Sequence, residues 1–139
     1  MSKLHKLGKI VMPLNRKIVT AVLSSFLFTS VLSAPDWFEG DLFFNLYYLN
    51  FLFVITFGIM GSFFSDWVSK KLTNRVYMYE IISFLSHCLL GLALALPGLI
   101  SAILFFMVDR TLRRVKISWL SVLVSLAIVV FVFILLLNT

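Results

Sequence analysis

The chain has 139 residues, of which 61% are hydrophobic and only 13% charged, with a formal net charge of +6. Soluble domains use about 45–50% apolar residues, and so few charges cannot cover a soluble surface. A soluble globular domain is therefore excluded, and an all-α, polytopic transmembrane helical bundle is expected. Apolar residues run continuously, not in the alternating ~10-residue strands of a transmembrane barrel, which disfavours that fold.

All 12 basic residues fall in three clusters that flank apolar runs. These are Lys3, Lys6, Lys9, Arg16 and Lys17; Lys70, Lys71 and Arg75; and Arg110, Arg113, Arg114 and Lys116. That distribution is the positive-inside bias of cytoplasmic span ends and suits anionic lipid headgroups, so the charge does not point to nucleic acid. The single cysteine, Cys88, precludes an intrachain disulfide.

In chain order, residues 1–17 form a basic leader in which Pro13 argues against one uninterrupted helix. The first span is expected over 18–34. Ala21, Ser25, Thr29 and Ser33 recur there every fourth residue, a small-residue face of the kind that lets helix backbones approach in a bilayer. Cleavage near Ala34 as a signal peptide is the rival reading. Pro35–Asp41 is an acidic loop with Asp36, Glu39 and Asp41, expected outside the cell. The second span covers 42–64, and Gly58 and Ser62 form a small pair near its end. Residues 65–75 read as a loop, where Asp66 and Lys70 could pair at i, i+4. The last span covers 117–137, with Ser118, Ser121 and Ser125 as another small polar face.

Val76–Val108 holds one charge, Glu80. As one helix it would be about 50 Å long at ~1.5 Å per residue, too long for a hydrocarbon core of about 30 Å. Pro97-Gly98 marks a break within it. A hairpin turning near Leu94–Gly98 puts every basic residue on the cytoplasmic side, whereas one crossing would not. The expectation is five spans, over 18–34, 42–64, 76–93, 96–112 and 117–137, with the N-terminus cytoplasmic. Pro97 would be the first residue of the returning helix, and four spans is the alternative. Because residue 80 and residues near 110 are equally far from the turn, Glu80 should face Arg110 or Arg113.

Glu80, Ser83, His87 and Gly91 share one helix face. An ionisable group at membrane depth suggests a functional site, here a proton- or substrate-handling face. In the plainer reading Glu80 reaches a basic neighbour and His87 hydrogen-bonds a serine or carbonyl. No H-E-x-x-H, P-loop or G-x-S-x-G motif occurs, and His5, His87 and Cys88 do not make a zinc set. No catalytic residue, cofactor or metal is expected.

The residues SDWVSKKL (65–72) and MVDRTLRR (107–114) resemble a small, uncharacterised family of multi-span membrane proteins from Gram-positive, Bacillus-type bacteria. The resemblance covers most of the chain and implies a bacterial plasma-membrane location and no known activity. The small multidrug-resistance exporters are of similar size, but their membrane glutamate lies in the first span, and Ile18–Ala34 has no charge. The leading functional expectation is a non-catalytic protein that associates with itself or a larger membrane partner, in an accessory, regulatory or immunity-type role. A small proton-coupled transporter using Glu80 and His87 is the alternative, and a holin-like pore-former a third reading.

Overall fold

The computed structural model describes residues 2–34 and 40–138, with side chains from Leu14 onward. The acidic residues Asp36 and Glu39 lie outside the described residues. Among the described residues there are five helices: α1 (Ser2–Ser33), α2 (Gly40–Leu72), α3 (Val76–Leu92), α4 (Ala95–Leu112) and α5 (Trp119–Leu137). Four of them are long and apolar enough to cross a membrane, while α3, with 17 residues, is shorter. α1 packs against α2 and α4, α3 lies between α2 and α4, and α5 touches the bundle mainly along α1.

α1 runs without interruption through Pro13, where a break was expected. Proline removes one N–H and its i−4 bond, and the ladder on both sides is long enough to carry the helix past that loss. Ala21, Ser25, Thr29 and Ser33 are all fully buried. The Thr29 and Ser33 hydroxyls do not burden the interface, because they bond within the helix: Thr29 to the Ser25 carbonyl at 2.9 Å and Ser33 to the Thr29 carbonyl at 2.7 Å. Phe28 is buried as well, so the packed side of α1 is broader than one small-residue row.

α2 continues to Leu72 and takes in the segment expected as a loop, leaving only Thr73–Arg75 as the connection to α3. The extra turns are held because Ser65 and Ser69 face inward and are fully buried. Inside α2, Val54–Gly58 forms a π-helical stretch, in which the ladder shifts by one residue. Thr56 donates its hydroxyl to the Leu52 and Phe53 carbonyls there, at 2.7 and 3.1 Å. π-Turns often mark functional sites in helices.

α3 and α4 form a hairpin whose turn is Ala93–Leu94, slightly earlier than expected. Pro97 is thus the third residue of α4, not the first. It still costs no hydrogen bond, since the first four N–H groups of a helix have no intrahelical partner. The two helices approach so closely that a Cβ on Gly91 would lie 2.5 Å from the Ala102 Cβ and 2.7 Å from the Gly98 carbonyl oxygen. Ala95 has φ 65°, in the left-handed region that costs an L-residue about 1–2 kcal/mol. Ala95→Gly is accordingly expected to stabilise the protein by about 1 kcal/mol, read as a later midpoint in a detergent-denaturation titration followed by circular dichroism.

α5 begins at Trp119, with Ser118 as N-cap accepting from the Ser121 N–H at 3.2 Å. Of the small polar face expected here, Ser118 caps the helix, Ser121 is exposed beside it, and the half-buried Ser125 donates to the Val122 carbonyl at 2.8 Å. Only 11% of α5 is buried. It is held by Val122 and Val129 and by Tyr48, whose hydroxyl donates to the Val129 carbonyl at 2.8 Å.

Candidate functional site

At the end of the bundle where the basic clusters gather, charges from α1, α2, α3 and α4 meet. Lys17 is completely buried, although a lone buried ammonium would cost many kcal/mol. Its Nζ donates to Asp66 Oδ2 at 3.1 Å, to Asp109 Oδ2 at 3.3 Å and to the Ser62 hydroxyl. Arg16 Nε donates to the other oxygen of Asp109 at 2.9 Å. Arg110 is the second hub. Its guanidinium donates to Asp66 Oδ1 at 3.2 Å, Asp109 Oδ2 at 3.2 Å and the Ser83 hydroxyl at 2.8 Å, and its Nε lies 2.6 Å from Glu80 Oε2. Arg113 pairs with the other Glu80 oxygen. Tyr79 and Ser83 each donate to Asp66 Oδ1 at 3.0 Å. Arg110 also lies over the Phe106 ring, 4.4 Å from its centroid.

Three carboxylates thus answer four cations, and each carboxylate touches at least two. Ion pairs of this depth hold only when both partners are present and their remaining polar atoms are bonded, which the serine and tyrosine hydroxyls provide. Asp66 turns to these partners on α1 and α4, not to Lys70, because the inward face of α2 leaves Lys70 exposed. Asp109, in the last turn of α4, is buried in the interior.

The face Glu80, Ser83, His87 divides between two places. Glu80 and Ser83 belong to the charge network. His87, 4% exposed, stands apart against the Phe105 ring at 5.5 Å and the Phe106 ring at 6.4 Å. The hydrogen bond to a serine or carbonyl expected for it is absent, since neither Nδ1 nor Nε2 has a partner. A buried polar atom without a partner costs about 1–3 kcal/mol, which makes this imidazole unusual among interior groups.

His87 stands in the wall of a cavity of about 810 Å³, open along one side at Leu49, Phe57 and Met60, between α2, the α3–α4 hairpin and the Phe28–Leu32 turn of α1. The lining is apolar apart from His87, Asn50 and Ser101. Asn50 links three helices: its Nδ2 donates to Ser25 Oγ at 3.1 Å, and its Oδ1 accepts from the Ser101 hydroxyl at 2.8 Å. The π-turn residues Val54, Phe57 and Gly58 supply part of the wall. Among the described residues no three His, Cys, Asp or Glu side chains are grouped to hold a metal ion.

Sequence reasoning missed Arg16, Lys17, Asp66, Asp109 and Asn50. A signal for three of them was present. Lys17 continues the i+4 row of Ala21–Ser33 by one turn, Asp66 continues the Gly58–Ser62 row, and Asp109 follows Ser101 and Phe105. Each buried row ends in a charge. Comparison with known proteins gives no match: no family model, curated protein or solved structure is similar to the chain.

Proposed function

We propose that the chain is a five-span protein of the plasma membrane with a cytoplasmic N-terminus, acting without catalysis as a helical partner of itself or of a larger membrane protein. The observation that carries this reading is the charge network. It fastens four helices at one end and leaves no free carboxylate in it, which suits a structural scaffold better than a site that turns over a substrate. The exposed Lys70, Lys71, Arg75, Arg114 and Lys116 surround that end, as the cytoplasmic face of a bilayer with anionic headgroups favours. The small-residue row of α1 is already used inside the chain. Association between molecules therefore falls to α5, which is apolar along its length and covered on one side only.

The transporter reading loses its carboxylate, since Glu80 is engaged by Arg110 and Arg113, but His87 beside the cavity still favours it as a second reading. Single cysteines on a Cys88→Ala background test the proposal. A membrane-impermeant maleimide should label position 138 and not position 116 in intact cells, and a short bis-maleimide should join Ile128→Cys to a second chain or a larger protein. Labelling of 116 instead inverts the orientation. Absence of any cross-linked product at both 128 and Leu123 removes the association reading.

A further inference from the structure

We infer that the cavity beside His87 is a binding site for an uncharged, largely apolar molecule carrying a hydrogen-bonding oxygen, which pairs with the His87 imidazole. The volume, about 810 Å³, lies in the ~300–1,000 Å³ range of small-molecule sites, which are typically apolar with a few placed polar groups. Phenylalanine, leucine and methionine supply half of the lining residues. The lining holds no charged residue, because the neighbouring aspartates and arginines are committed to one another in the network. A charged ligand would find no counter-ion there; an uncharged one loses nothing by entering.

His87 supplies the specific contact. It is 96% buried (4% exposed), and both ring nitrogens lack a partner, whereas buried polar atoms in native proteins are nearly always paired. The phenylalanines against it offer only ring faces. The backbone of α2 comes nearest the ring at Gly61, where the end of the Leu90 side chain covers the approach: a Cβ there would stand 4.0 Å from His87 Nδ1 and 3.3 Å from a terminal methyl of Leu90. A ligand oxygen reaches the imidazole once the end of Leu90, 41% exposed, swings aside. Neutral imidazole has one donor and one acceptor, so a carbonyl or a hydroxyl can satisfy it. Asn50, with one N–H unused after its bonds to Ser25 and Ser101, offers a second polar contact farther along the cavity.

The chain has two histidines, so ¹⁵N-histidine labelling on a His5→Gln background gives one imidazole to follow. The protein, in phosphatidylcholine–phosphatidylglycerol nanodiscs, is titrated with decylubiquinone, with 1-dodecanol and with dodecane. Saturable movement of the His87 ring ¹⁵N signals with an oxygen-bearing probe, and none with dodecane, is the expected result. Response to the quinone alone assigns a carbonyl-bearing ring, and response to dodecanol as well assigns a lipid-like alcohol. His87→Phe, followed by probe-dependent thermal stabilisation, should weaken binding about tenfold. Gly61→Leu should abolish the titration while the circular dichroism spectrum stays unchanged. Gly61→Ser, which places a hydroxyl beside the ring, should move the His87 signals without any probe. The inference is overturned if no probe moves the His87 signals, if dodecane moves them equally, or if the signals show a permanent water partner that no probe displaces.

Discussion

Replacing Asp109 with leucine is expected to destabilise the bundle by about 3–5 kcal/mol, the range for removing one partner of a buried ion pair. The Asp109 side chain is 2% exposed and serves Arg16, Lys17 and Arg110 at 2.9–3.3 Å. Without it, Lys17 keeps only Asp66 as a counter-ion, and Asp66 must already answer Arg110. An ammonium with no exposed surface cannot turn to water. The double variant Asp109→Leu with Lys17→Met removes both charges and should cost clearly less than the sum of the two single changes, because the stranded charge is gone. Glu80→Gln is the contrast, since Glu80 is one-third exposed (33%) and a surface pair contributes about 1 kcal/mol or less. Detergent-denaturation midpoints of the four variants provide the measurement. If Asp109→Leu costs no more than Glu80→Gln, the network does not hold the helices together.

Gly98→Val is expected to cost about 3 kcal/mol or more and to separate α3 from α4. A side chain at 98 would run into the Gly91 carbonyl and would lie 2.5 Å from the Leu94 Cβ, and one at 91 would meet the Gly98 carbonyl. Overpacking a core costs about 1–3 kcal/mol where neighbouring side chains can shift. Here the obstacles are backbone atoms and a Cβ of the same hairpin, which cannot move without displacing a helix. Gly61→Ala gives the comparison. Its new methyl meets two side chains and no backbone, the end of Leu90 at 3.3 Å and His87 Nδ1 at 4.0 Å, and alanine is favoured over glycine inside a helix by about 0.5–1 kcal/mol. Folded yield and denaturation midpoint should therefore fall sharply for Gly98→Val and hold or rise for Gly61→Ala. Equal behaviour of the two would mean that the helices do not cross at these glycines.

By itself the sequence determined the all-helical class, the apolar lengths and the place of the hairpin, because these depend on composition, local periodicity and the Pro97 signal. It also set Glu80 against Arg110 or Arg113, since equal distance along two helices from one turn fixes equal height, and the structure joins it to both. The same local logic identified the Ala21–Ser33 row as a packing face. Helix ends were less legible: Asp66 and Ser69 read as loop residues when charge was taken as a sign of exposure, while their helix continues because partners on other helices receive them. Only the tertiary structure decided that Lys17, Asp66 and Asp109 are interior, that Asn50 joins three helices, and that His87 stands beside a cavity with no partner. Lys17 and Asp109 are 92 positions apart, and periodicity states which residues share a face but not which face of another helix lies opposite. A buried charge is stable only through that opposite face, so its position is a property of the assembled bundle, not of any one segment.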